Sequence, residues 1–120
     1  MPFEPLTISK SGASSISLDR QYRLRLSATA MRDMKLSAYQ YVVISVDVDN
    51  KRLGLVKQDL AKVPNATALK IDKRGYIGTA AGKMVARKLA IAEADLPKRF
   101  DYIGQIDEAG VYWAGFELAK

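Results

Sequence analysis

Cysteine and histidine are both missing from this chain of 120 residues. Their absence removes disulfides, thiol nucleophiles, the commonest general base and nearly all transition-metal ligation. No catalytic residue, metal or cofactor is assigned on this reading, and the protein is not expected to be an enzyme. Asp47, Asp49, Asp107 and Glu108 are the only candidate carboxylate pairs, and they fall where hairpin turns are expected, so turn chemistry accounts for them. A chain without cysteine fits a reducing compartment, the cytoplasm. No apolar run approaches the roughly eighteen residues of a membrane span. The opening MPFEPLTISK lacks the basic-then-apolar order of a signal peptide, so no membrane partner is expected.

Glycine is sparse, yet three of the eight glycines fall in IDKRGYIGTAAGKMVARKL, residues 71–89. A phosphate-cradling loop of the form G-x-x-x-x-G-K-[S/T] would need glycine five positions before Gly82, where Ile77 stands, and a hydroxyl at Met84. Gly75, Gly78 and Gly82 are three and four apart, which also breaks the dinucleotide spacing G-x-G-x-x-G. These glycines are read as serving a turn that leads from a strand into a helix.

The charge is uneven. Residues 10–35 hold six bases against two acids, and residues 70–89 hold six against one. Those two stretches carry a net +9, whereas the rest of the chain is net −3, within a total of +6. A solvated surface usually mixes the signs, so two basic segments in an acidic remainder point to a polyanion.

The basic segments also resemble each other. At an offset of 53, LDRQYRLRLSATAMRDMKL (18–36) lies over residues 71–89 without gaps. Asp19 then meets Asp72, Ala28 meets Ala81, Met31 meets Met84, and Lys35–Leu36 meets Lys88–Leu89. Alternating Ile16, Leu18, Tyr22, Leu24 and Leu26 predict one half-buried strand or two short ones. Ser27 and Thr79 stand as helix N-caps. Behind them, Ala28, Met31 and Leu36, or Ala81, Met84, Val85 and Leu89, mark an apolar helical face with the methionines as core fillers. Residues 39–57 and 100–118 read as hairpins turning at 49–52 and 107–110, with the two turn aspartates 58 apart.

The expected fold is mainly β with short helices, a pseudo-symmetric barrel made from two β-α-β-hairpin units. Residues 1–120 form a single domain with an N-terminal arm (1–15), a first unit (16–57), a linker (58–68) and a second unit (69–120). The arm is read either as free or as an edge strand built on Phe3, Leu6 and Ile8. Neither unit is large enough to bury its apolar faces alone.

DKRGYIGTAAGKMVARKLAI (72–91), and more loosely DRQYRLRLSATAMRDMKLSA (19–38), resemble the AbrB-like transcription regulators, the swapped-hairpin or MazE-like barrel family. Two such units on one chain look like the tandem MraZ-type arrangement. Departures are the lack of Ile-Pro before each helix, Tyr22 in place of the usual glycine, and Tyr76 in place of the base that follows it. The resemblance implies double-stranded DNA as partner, contacted by Arg20, Arg23 and Arg25 in the first unit and by Lys73 and Arg74 in the second.

Chemistry alone gives a similar division of labour. Arg20, Arg23, Arg25 and Arg74 offer planar forks suited to guanine edges. Arg23 and Arg25 should be exposed together, opposite Tyr22, Leu24 and Leu26. Arg32, Lys35, Lys83, Arg87 and Lys88 fit phosphate contacts, or equally a solvated helix surface. A second reading is single-stranded nucleic acid stacked on Tyr22 and Tyr76, as on five-stranded oligonucleotide-binding barrels. In that reading too, Tyr39, Tyr41, Tyr102, Tyr112, Trp113 and Phe116 are assigned to core or interface. A third reading is a module that docks on an acidic protein. Homodimerisation through a free strand edge stays open.

Overall fold

A computed structural model describes residues 14–61, 67–108 and 110–119. The edge-strand reading of Phe3, Leu6 and Ile8 lies outside the described residues, as do residues 62–66 of the linker.

The chain is mainly β. β1 (Ser15–Leu18) and β2 (Leu24–Leu26) form a hairpin in which Ile16 faces Leu26 and Leu18 faces Leu24. All four are fully buried, while the intervening Arg25 is exposed. The period-two pattern therefore resolves as two short strands. Tyr22 is not part of that alternation; it sits in the turn between them at φ 63°.

α1 (Ala28–Asp33) starts at Ser27, whose Oγ accepts hydrogen bonds from the Ala30 amide at 3.0 Å and the Ser15 amide at 3.1 Å. One hydroxyl thus caps the helix and fastens it to the start of β1. β3 (Tyr41–Asp47) and β4 (Arg52–Lys57) form the first long hairpin. Asp47 accepts from the Asn50 amide at 3.3 Å and side chain at 2.8 Å. That is the turn role expected of this carboxylate. Lys51, at the hairpin tip, donates to the Leu89 carbonyl at 3.1 Å.

The short helix α2 (Gln58–Ala61) precedes β5 (Leu69–Lys70) and β6 (Tyr76–Gly78). α3 (Thr79–Lys88) follows, then a 3-10 turn at Glu93–Asp95 and the hairpin of β7 (Lys98–Glu108) and β8 (Val111–Leu118). The eight strands among the described residues form one sheet in the order β5-β3-β4-β8-β7-β1-β2-β6. Its two outermost strands are consecutive in the chain, and the turn at 72–75 joins them. The sheet therefore curls into a nearly closed barrel, with eight strands where an oligonucleotide-binding barrel has five.

The main core fills the inside: Ile16, Leu18, Leu24, Leu26, Leu53, Leu55, Phe100 and Phe116 join Val85 of α3 and Leu89 just after it. A smaller cluster joins Ala61 of α2 to Val43, Val56, Val111 and Trp113. β4 is covered on both sides, which explains its continuous buried run from Leu53 to Val56.

Several expectations are corrected. α3 is capped by Gly78, without a side-chain hydrogen bond, and Thr79 is its first residue. Ala28 is exposed and Ala30 buried instead, because Ser27 sets the helix phase through its bond to the Ala30 amide. Met84 is exposed, with Gly82, Val85 and Ala86 forming the buried face. Helix α1 ends with Lys35 at φ 56° and α3 with Ala90 at φ 55°. The helix ends are thus 55 apart rather than 53, since α3 is longer, and Lys35 is matched by Ala90 rather than Lys88. Of the aromatics assigned to core or interface, Trp113 and Phe116 are in the core, whereas Tyr39, Tyr41, Tyr102 and Tyr112 are exposed, which excludes the core alternative for those four. Tyr112 lies between buried Val111 and Trp113, so strand alternation turns it outward.

Gly82 meets a packing constraint. A methyl group there would overlap the Tyr22 carbonyl oxygen, so α3 rests directly on the β1–β2 turn.

Two stability tests follow from these contacts. Ser27→Ala leaves two amides without their acceptor and is expected to cost about 1–2 kcal/mol, whereas Thr79→Ala stays within about 0.5 kcal/mol. Gly82→Ala pushes α3 off the turn and is expected to cost about 2 kcal/mol or more. Urea unfolding monitored through Trp113 measures all three.

Candidate nucleic-acid interface

Two turns built on aspartate organise the basic residues. In the first, Asp19 Oδ1 accepts from the amides of Gln21 at 2.9 Å and Arg23 at 2.8 Å. The Tyr22 amide bonds the Asp19 carbonyl, and the Asp19 amide bonds the Arg23 carbonyl. In the second, Asp72 Oδ1 accepts from the amides of Arg74 at 2.8 Å and Tyr76 at 3.0 Å. The Gly75 amide bonds the Asp72 carbonyl, and the Asp72 amide bonds the Tyr76 carbonyl. Each of the four bonds in one turn has its counterpart 53 residues away in the other. The third turn residue is left-handed in both, Tyr22 at φ 63° and Gly75 at φ 89°.

These contacts shift both carboxyls. The Tyr76 amide above all holds Asp72 below the ordinary aspartate value; burial opposes it, and the Arg74 amide adds a further downward push. Burial pushes Asp19 up, but hydrogen bonds from the Arg23 amide and guanidinium and the Gln21 amide outweigh it, and the net shift is downward.

The turns meet because β2 pairs with β6, matching Leu24 with Gly78 and Arg25 with Tyr76. The Leu26 amide also reaches the Gly75 carbonyl at 2.9 Å, and Arg25 Nε reaches the Arg74 carbonyl at 3.2 Å. Three guanidiniums consequently converge on one ring. The central carbons of Arg23, Arg25 and Arg74 lie 5.0, 5.5 and 5.6 Å from the Tyr76 centroid, within cation–π range. Arg23 also pairs with Asp19 at 2.7 Å. Arg25 and Arg74 have no ion-pair partner among the described residues.

Beside this cluster is an open cleft of about 370 Å³ lined by Arg23, Lys70, Asp72, Arg74, Tyr76 and the start of α3. Lys70 lies 5.6 Å from the exposed ring of Tyr39.

The structure thus brings together Arg23, Arg25 and Arg74 from the expected set. Arg23 and Arg25 are exposed on the side opposite Leu24 and Leu26, as the alternation predicts. Arg20 and Lys73 are exposed at equivalent positions of the two turns, outside the ring of cations around Tyr76. Arg32, Lys35, Lys83, Arg87 and Lys88 are exposed on or just after the helices and do not line the cleft. Lys88 instead borders an apolar groove with Val48, Leu69 and Met84. Sequence reasoning missed Lys70 and Tyr39 as site residues. Lys70 opens the second basic segment, which was its one visible signal; Tyr39 carried none.

The two carboxyls give a test with a definite sign. Their folded pKa values lie below the unfolded value of about 3.9, so their stabilisation is complete above that value. It is lost as pH falls through the folded values. Asp19→Asn/Asp72→Asn is expected to lower the urea midpoint at neutral pH. It should also flatten the loss of stability between about pH 5 and about pH 2. Equal acid sensitivity in variant and parent would contradict the two shifts.

No helix among the described residues is long and apolar enough to cross a membrane. Compared with family models, with curated proteins and with solved structures, the chain matches none, and its site is read from its own chemistry.

Proposed function

We propose that this protein binds double-stranded DNA through the arginine cluster around Tyr76, acting as a transcription regulator or accessory factor. One observation carries the proposal: Arg23, Arg25, Arg74 and Lys70 gather at one exposed place, while of the two turn acids Asp72 bonds backbone amides and Asp19 pairs with Arg23 alone. Concentrated positive charge with few acids to balance it suits a phosphate backbone, which releases counterions when lysine and arginine neutralise it. Arginine adds the fork able to read guanine.

The proposal includes a two-unit architecture of the swapped-hairpin kind. Four matching hydrogen bonds in the aspartate turns support it. So does the strand order: treated as a ring, it returns unchanged when β1–β4 are exchanged for β5–β8. Pairing register adds to this, because Ile16–Phe100 becomes Leu69–Val42 under offsets of 53 and 58, and both pairs occur. In such an arrangement β2 and β6 lie beside the pseudo-twofold axis, and the arginine cluster with them. Arg20 and Lys73 flank it as equivalent turn residues.

Fluorescence anisotropy with labelled duplex and single-stranded oligonucleotides at two salt concentrations tests the proposal. Duplex binding should weaken steeply with salt. Arg25→Ala/Arg74→Ala should reduce it roughly tenfold or more and lower the salt slope by about two. A preference for the single strand would favour the stacking reading. Failure to bind either at low salt would remove nucleic acid as the partner and leave an acidic protein.

A further inference from the structure

Three like charges do not gather around one point without cause. Arg23 is held by Asp19, and Arg25 by the Arg74 carbonyl at 3.2 Å. The position of Arg74 is fixed through its amide bond to Asp72 at 2.8 Å. Beyond these tethers, the feature common to all three guanidiniums is the ring of Tyr76, no more than 5.6 Å from each. An aromatic face carries negative charge density and attracts cations. Tyr76 is itself half-buried, with its amide bonded to Asp72, so the ring projects from a fixed backbone.

We infer that Tyr76 is a positioning residue: its ring orders the guanidiniums of Arg23, Arg25 and Arg74 as a ready-made array for the phosphates of duplex nucleic acid. This rests on the DNA-binding proposal above and narrows it. A ring surrounded by three cations has little face left for a base, so Tyr76 does not serve as the stacking platform of a single-strand binder. Ordering long side chains before binding removes part of the entropy that association would otherwise cost. The phenol hydroxyl plays no part in that role; the ring does.

Two measurements on the full chain test the inference. In the free protein, NMR should show side-chain resonances of Arg23, Arg25 and Arg74 displaced by the Tyr76 ring current. The displacement should persist in Tyr76→Phe, apart from small changes, and vanish in Tyr76→Leu. In duplex titrations, Tyr76→Phe should bind within about twofold of the parent. Tyr76→Leu should bind roughly five- to twentyfold more weakly, with an unchanged salt slope because the same charges still meet phosphate. Arg25→Ala, which removes a contact, should lower that slope by about one. Thermal unfolding of each variant separates loss of positioning from loss of fold.

Undisplaced arginine resonances in the parent would overturn the inference even if the protein binds DNA. So would wild-type duplex affinity in a folded Tyr76→Leu variant, or a loss confined to single strands. Absence of nucleic-acid binding in the parent is a different result: it removes the DNA proposal, and with it the phosphate array, while the ring-current displacement still reports whether Tyr76 gathers the arginines.

Discussion

The short antiparallel contact between β2 and β6 is the joint on which both barrel and site depend. It is only a few residues long, yet it brings together parts of the chain some fifty residues apart. On its inner side it buries Leu24, Leu26 and Ile77. On its outer side it sets Arg25 beside Tyr76. Because side chains alternate along a strand, one register fixes both outcomes, and a slip of one residue would turn the arginines toward the core. Packing of the leucines therefore enforces the convergence of the cations.

That convergence has an energetic cost. Guanidiniums this close repel one another, and only Arg23 has a carboxylate partner among the described residues. An exposed ion pair of this kind contributes at most about 1 kcal/mol. The cluster persists because backbone hydrogen bonds, which are indifferent to the like charges, hold its supporting turns. Asp19 and Asp72 each give one carboxylate oxygen to turn amides, fixing backbone shape, and of the two only Asp19 also meets a guanidinium, that of Arg23.

Much of this was legible in the sequence, and the rest was hidden for definable reasons. The match of Asp19 with Asp72 pointed to two turns that share the same four hydrogen bonds, and alternation placed Arg23 and Arg25 outside Leu24 and Leu26. Such signals are local, and local geometry expresses them directly. Pairing of β2 with β6 is not local, so Tyr76 could be read only as a partner for bases, and Lys70 only as part of a charge count. Helix phase was misread for a related reason. Thr79 and Met84 look like cap and core residue, but the left-handed Gly78 starts the helix one residue sooner, and the buried side of α3 is made by Gly82, Val85 and Ala86.

The glycine-rich stretch at 71–89 then has a purely geometric account. Gly75 takes the left-handed place in the second aspartate turn. Tyr22 occupies the same place in the first turn, where a side chain with a β-carbon costs about 1 kcal/mol. Its ring packs against the core and offsets that strain. Its carbonyl is the surface on which Gly82 lets α3 settle. The second turn, by contrast, keeps glycine at Gly75, whose missing β-carbon clears the Leu26 carbonyl and the sulfur of Met31. Near-identical turns thus accept opposite residues because their neighbours differ. Three glycines that fail every phosphate-loop spacing are spaced instead by the contacts that close the barrel and set the arginines beside one ring.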